Sequence, residues 1–277
     1  MKPVIDLIQS PWNAEGKVFA GVTLRGAREG DGGYAGFNFA EHVGDNHARV
    51  AEHRALLAAQ ITDELVAYPK TDADPEGKVE LQALSWHWLN QVHGTAVHEV
   101  VSPSQASIRP VTEADAMLTS LPRQVCCILT ADCLPVFFYN PQASQIAVAH
   151  AGWRGLAGGV LENTLSAMGG DASEIHVWFG PAIGPCHFEV GPEVRERFLS
   201  AADSVDEREA VHAAFKPAAE NGKFLADIYA LAEIRLRKTG VRSIAVNKLC
   251  TACEPERFFS FRREALSGRL LSLIFIK

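Results

Sequence analysis

The stretch Val125-Cys126-Cys127-Ile128-Leu129-Thr130-Ala131-Asp132-Cys133-Leu134-Pro135-Val136-Phe137-Phe138-Tyr139 decides the fold. Its two apolar runs, Val125 to Leu129 and Pro135 to Tyr139, are short, rich in β-branched and aromatic residues, and separated by a polar turn, so they read as strands. A third run, Ile146 to Ala151, follows the turn-like segment Asn140 to Gln145. Period-2 alternation places Ile146, Val148 and His150 on one face of this strand and Ala147, Ala149 and Ala151 on the other. The chain then passes through Gly152-Trp153-Arg154-Gly155 into a segment where Leu156, Val160, Leu161, Leu165 and Met168 recur at helical spacing. Strand, turn and helix follow one another there.

Outward from this centre, Ile175 to Phe179, Val241 to Val246 and Leu270 to Ile276 read as further strands. Val50, Leu57 and Ile61 mark one face of a helix over His47 to Ile61, with Asp45 as its cap. A second helix is outlined by Leu225, Ile228, Tyr229, Ala232 and Leu236 and stops at Thr239-Gly240. Tyr68 to Lys78 is polar and rich in turn residues, a surface loop rather than a domain boundary. Strands and helices without strict alternation predict an α+β fold, as a single domain over residues 1–277.

Composition narrows the function. With 277 residues, 47% hydrophobic and 21% charged, the chain can bury a full core, which argues against disorder or a stapled mini-protein. A net charge of −7 and a pI of about 5.8 speak against nucleic acid or an anionic membrane as partner, since both attract a basic footprint. The amino terminus carries Pro3 and Asp6 where a secretory signal needs an apolar run, and no stretch of roughly 18 uncharged apolar residues occurs. The expected location is the cytoplasm. Six cysteines, at 126, 127, 133, 186, 250 and 253, are too sparse and clustered for an extracellular disulfide framework, so they are expected as thiols.

Three segments gather the chemistry: Gln91-Val92-His93-Gly94, Ala131-Asp132-Cys133-Leu134-Pro135 and His150 with the turn behind it. Two imidazoles and one thiolate make the three protein ligands of a catalytic zinc site, whose fourth position stays open. The spacing between them is far from that of a zinc finger, so the fold must bring them together. The same residues serve equally as a cysteine nucleophile, Cys133, with His93 or His150 as its base. Asp115 and Asp132 are placed to orient a ligand histidine or to act as acid or base, with turn and cap chemistry as the alternative. Arg154, in a glycine-flanked strand-to-helix turn, offers donors to an anion. Cys126 and Cys127, inside an apolar strand, read as core. Cys250-Thr251-Ala252-Cys253 is a lone pair; a structural zinc site there would need Cys186 and His187 to complete it, and Pro255 stands against a thioredoxin-like helix.

The order of the motifs is more specific than any one of them. Gly44-Asp45-Asn46, Gln91 to Gly94, Ala114-Asp115-Ala116, Thr130 to Val136, His150 to Gly155, Gly180 to Pro185, Phe188 to Gly191, Leu225 to Ile228 and Phe259-Ser260-Phe261-Arg262-Arg263 resemble, in sequence and in order, the YfiH family, also called the laccase-domain or polyphenol oxidase family. The resemblance implies a sandwich of mixed β-sheets flanked by helices, similar to the catalytic domain of cytotoxic necrotizing factor. It implies zinc on His93, Cys133 and His150, with copper as the alternative metal, and a catalytic set of those three with Arg154. Arg25, Asn38, Asp115 and Asp132 follow as substrate-binding positions, Arg25 from a loosely matching segment, Thr23 to Gly33. The activity implied is phosphorolysis of adenosine, inosine, guanosine and methylthioadenosine, with adenosine deaminase activity, so the expected partners are a purine nucleoside and phosphate, and no obligate protein partner is inferred.

Three other readings remain open beside it. One is an amidase that edits a cytoplasmic peptidoglycan precursor, and another a metal sensor without turnover. The third, copper-dependent polyphenol oxidation, fits less well, because a laccase needs histidines at short mutual spacing and the ten here show no His-x-His pattern.

Overall fold

The computed structural model describes residues 3–27, 32–66, 83–103 and 112–277. The loop over 68–78 and part of the segment Thr23 to Gly33 fall outside them. Strands in the first half are β1 (Leu7–Gln9), β2 (Val18–Thr23), β3 (Ser85–Asn90), β4 (Val97–Glu99), β5 (Thr112–Glu113), β6 (Ala116–Thr119), β7 (Gln124–Thr130) and β8 (Leu134–Asn140). They are followed by β9 (Gln145–Ala151), β10 (His176–Phe179), β11 (Glu189–Val190), β12 (Phe215–Pro217), β13 (Phe224–Ala226), β14 (Ser243–Val246) and β15 (Leu270–Ile276). The helices are α1 (His47–Val66), α2 (Trp153–Gly158), α3 (Val160–Met168), α4 (Pro192–Leu199), α5 (Val205–Ala213) and α6 (Ile228–Lys238).

Among the described residues the strands form two six-stranded mixed sheets, ordered β1-β2-β15-β7-β3-β5 and β14-β10-β8-β9-β6-β4, and a small sheet β11-β13-β12. The apolar alternation explains the layers. Cys126, Ile128 and Ile274 face inward from the first sheet and meet Met117, Phe137, Ile146, Val148 and Trp178 from the second. Cys127, Leu273 and Phe275 face the other way, onto Leu57 and Ile61 of α1. The opposite side of the second sheet, with Ala147, Ala149 and Phe179, is covered by α2, α3, α4 and α6 through Leu156, Leu161, Phe198 and Leu236. The result is a helix–sheet–sheet–helix sandwich, an α+β architecture. Strands buried on both faces have no polar side, which is why β7, β8 and β9 read as continuous apolar runs.

The chain crosses from one sheet to the other in the turn between β7 and β8, so residues 131–133 lie at the seam. Cys126 and Cys127, 0% and 1% exposed, are core on opposite faces of β7.

Three local readings are corrected. The cap of α1 is Asn46, whose Oδ1 accepts from the backbone amides of Ala48 (2.9 Å) and Arg49 (3.2 Å); Asp45 instead accepts from the Asn38 side-chain amide and pairs with Arg49. The helical pattern from Leu156 to Met168 is broken at Gly159, whose φ of 101° ends α2 and opens α3. Leu225 belongs to strand β13; α6 begins after Asp227, which accepts from the Ala230 amide at 3.0 Å.

Candidate metal centre

His93 lies in the loop after β3, Cys133 in the turn between the two sheets, and His150 near the end of β9. Their ligand atoms lie within 4.8 Å of one another. The Cys133 Sγ is 3.9 Å from His93 Nε2, and the two imidazole rings meet edge to face with centroids 4.8 Å apart. Glycine makes this approach possible: a Cβ at Gly152 would stand 2.9 Å from His93 Cδ2 and 3.0 Å from Cys133 Sγ.

Asp115, fully buried between β5 and β6, holds the arrangement. Its carboxylate accepts from the backbone amides of Val92 (3.2 Å), His93 (3.0 Å) and Gly94 (2.6 Å), pinning a turn in which His93 has a left-handed φ of 60°. The same carboxylate lies 2.8 Å from His150 Nδ1. That contact gives Nδ1 the proton and leaves Nε2 free to bind, the usual carboxylate support of a ligand histidine. Burial raises the Asp115 pKa, but the His150 hydrogen bond and the backbone amides outweigh it and hold the carboxyl below its ordinary value. Gln91 fixes the same loop to β7, donating to the Leu129 carbonyl at 2.8 Å and accepting from its amide at 2.7 Å.

Burial alone would raise the Cys133 thiol, yet the charge on His150 and hydrogen bonds from both histidines bring it down to about 6. Burial likewise disfavours charge on His150, but the Cys133 thiolate and Asp115 carry it up to about 9. Without metal, these shifts favour a thiolate beside an imidazolium between about pH 6 and 9. The donor set fits zinc: two nitrogens and one sulfur in reach of one ion with bonds of about 2.0–2.3 Å, and space in front for a fourth ligand.

That space is a cavity of about 840 Å³ whose lining includes His93, Cys133 and His150. Arg54, Arg262 and Arg269 bring positive charge to it, Arg54 paired with Glu41 on the same lining at 3.4 Å and Asp132 also facing it, and Trp88, Trp153, Phe188 and Phe261 give it aromatic faces. Of these, Trp153, Phe188, Phe261 and Arg262 stand in the motifs His150 to Gly155, Phe188 to Gly191 and Phe259 to Arg263, where the signal was present in the sequence; Arg54, on α1, Trp88, on β3, and Arg269, before β15, carried none.

The remaining candidates are spread over several places. Asp115 stands behind His93 and His150 with its oxygens taken up by His150 and by the amides of residues 92–94. Asp132, with a left-handed φ of 93°, lines the cavity but spends its carboxylate on the Thr251 hydroxyl (2.6 Å) and the Arg262 amide (2.7 Å). Asn38 is fully buried in a loop network, donating to the Ala40 carbonyl and accepting from the Arg269 amide. Arg25 is 1% exposed, donates to the Ala35 carbonyl, pairs with Glu264 and lines a separate, smaller cavity. Arg154 is exposed, with its guanidinium over the Trp153 ring, and α2 has only six residues. The glycines around it serve packing: a Cβ at Gly155 would lie 2.6 Å from the Gly94 carbonyl.

Fold and site together define a class: a four-layer sandwich with a His–Cys–His donor set at the seam of its sheets, open to an aromatic cavity lined by three arginines. The chain belongs to the family described as multi-copper polyphenol oxidoreductase laccase, whose model matches residues 19–277. It is 39% identical over 266 residues to a purine nucleoside phosphorylase of Pseudomonas aeruginosa, covering 96% of each chain. It is 42% identical over 243 residues to the purine nucleoside phosphorylase YfiH of Escherichia coli, covering 88% of this chain and 87% of that one. A crystal structure of a Neisseria meningitidis protein superposes with a TM-score of 0.81 at 35% identity, over 98% of this chain and 99% of that one. Among the described residues no helix is long and apolar enough to cross a membrane.

Proposed function

We propose that this protein is a zinc-dependent purine nucleoside phosphorylase that also deaminates adenosine. The observation that carries the reading is the convergence of His93, Cys133 and His150, backed by Asp115, on the floor of a cavity with cationic and aromatic walls. The names of relatives about 40% identical support the phosphorylase assignment.

In phosphorolysis the bond from C1′ to the purine nitrogen breaks, a phosphate oxygen bonds to C1′, and the purine leaves with a proton. Arg262 and Arg269 hold the phosphate by charge, replacing Arg154 in that role, and the aromatic walls hold the purine by stacking. His93, Cys133 and His150 hold zinc, which supplies Lewis-acid charge when bound. Asp115 keeps His150 in the tautomer that binds. Deamination, in which water replaces the C6 amino group and ammonia leaves, uses the same cavity.

The test is a product assay on metal-quantified protein with adenosine and phosphate. Adenine and ribose 1-phosphate, lost in His93→Ala, are expected; a Cys133→Ala variant that retains both zinc and full turnover overturns the reading. Cys133 beside His150, with Asp115 behind the imidazole, also supplies the nucleophile, base and orienting carboxylate of a cysteine hydrolase. Release of serine from a UDP-muramoyl-serine precursor, with no nucleoside turnover, would favour that second reading.

A further inference from the structure

The motif left unused by the cavity is Cys250-Thr251-Ala252-Cys253, and the fold brings it against Cys186 and His187. One donor atom from each of these four residues lies within 4.8 Å of all the others. Cys186 Sγ is 3.5 Å from Cys250 Sγ and 3.4 Å from Cys253 Sγ. His187 Nδ1 is 3.3 Å from the sulfurs of Cys186 and Cys253 and 3.9 Å from that of Cys250. Around a tetrahedral zinc ion with ordinary bond lengths, two sulfurs stand about 3.8 Å apart and a sulfur and a nitrogen about 3.6 Å. The two sulfur–sulfur separations fall a few tenths of an ångström short of that spacing, and the sulfur–nitrogen separations bracket theirs. A disulfide, at about 2.05 Å, is far shorter than any of them, and all six cysteines are free.

The backbone is shaped for the cluster. Two tight turns face each other: the amides of His187 and Phe188 both donate to the Gly184 carbonyl at 3.0 Å, and the Cys253 amide donates to the Cys250 carbonyl at 3.1 Å. The Gly184 amide points at Cys250 Sγ, 3.2 Å away, a donor suited to a thiolate. A Cβ at Gly184 would stand 3.1 Å from that of Cys250. The turns are joined where Ala182 and Cys250 form a parallel bridge, with the Thr251 amide donating to the Ala182 carbonyl at 3.0 Å.

We infer that Cys186, His187, Cys250 and Cys253 form a second, structural zinc site that ties the loop after β10 to the loop after β14. Four protein ligands close the coordination sphere, so no position remains for substrate, in contrast to the three-ligand centre. Three thiolates and an imidazole select zinc. The clamp reaches the cavity wall. Thr251, between two ligands, donates to Asp132 next to Cys133; Arg262 donates to the His187 carbonyl at 2.9 Å; and Phe188, one residue past a ligand, lines the cavity. This inference does not depend on the reaction proposed above.

The experiment is zinc quantification by mass spectrometry on the full chain, before and after Cys250→Ser/Cys253→Ser. The double variant loses about one zinc equivalent relative to the unaltered protein, whatever the first centre holds. Equal zinc content in a folded double variant, or a disulfide among these cysteines in freshly purified protein, overturns the site. Should the double variant fail to fold, zinc X-ray absorption on Cys133→Ala loaded with one equivalent decides. Three sulfurs at about 2.3 Å and one nitrogen at about 2.0–2.1 Å are expected; a shell dominated by nitrogen and oxygen overturns it.

Discussion

Two regions of this molecule gather the same donor chemistries and build them in opposite ways. His93, Cys133 and His150 sit at strand ends and at the crossing between sheets, their geometry imposed by a buried carboxylate and by the packed core behind it. Cys186, His187, Cys250 and Cys253 sit on two turns, with Cys186 and Cys253 exposed, shaped by hydrogen bonds within each turn and by a short bridge between them at Ala182 and Cys250. The first arrangement is organised by the fold and keeps an open side. The second closes on itself and organises the loops that carry it. The comparison teaches that the number of ligands and the source of their rigidity, more than ligand type, separate a site suited to chemistry from one suited to stability.

The largest expected effect falls on the support of the first centre. Asp115→Asn keeps the shape but loses the charge that orders the His93 turn and the His150 proton, and zinc affinity at that centre should fall about 10–100-fold. Competition with a chelator checks this, and the second site should be unaffected; a common loss at both would break the contrast. Next is the thiol. In metal-stripped protein, Cys133 is protonated below and ionised above about pH 6. Alkylation followed by peptide mass spectrometry should therefore speed up about tenfold between pH 5 and 7 and then level off. Cys126, raised by burial, should stay unlabelled throughout. A Cys133 midpoint near that of an ordinary thiol would remove the thiolate–imidazolium pair.

The smallest effect sharpens the other side. Gly184→Ala crowds Cys250, so zinc release from the second site should accelerate by about threefold, an energetic change of under 1 kcal/mol. The first centre should keep its rate, as followed with a colorimetric chelator.

Much of this is legible in the amino-acid sequence. β7, β8, β9 and β15 announce themselves because strands buried on both faces leave long apolar runs, and the ligands His93, Cys133 and His150 stand in motifs beside turns. Other features were not, for identifiable reasons. The break at Gly159 hides because apolar residues continue at helical spacing across it, while only the backbone dihedral changes. Asn46 took the cap from Asp45 because Asp45 is drawn to Asn38 and Arg49, partners the local sequence does not reveal. Arg154 had the right charge beside a strand-to-helix turn, yet faces solvent and Trp153, while the cavity draws its cations from α1 and from the segment before β15. The four-residue cluster lay in plain view as names, but nothing in a separation of 63 residues between His187 and Cys250 says that two turns meet.

One feature of the topology bears on how the protein comes into being. β15 is placed between β2 and β7, pairing Ile274 with Ala20 on one side and with Cys126 on the other. During synthesis the early strands therefore wait, with open edges, for residues 270–276 to leave the ribosome. Until then the first sheet is split and its exposed edges invite pairing with other chains. The first sheet can therefore close only after β15 has been made, and a nascent chain paused before residue 270 should be a client for chaperones.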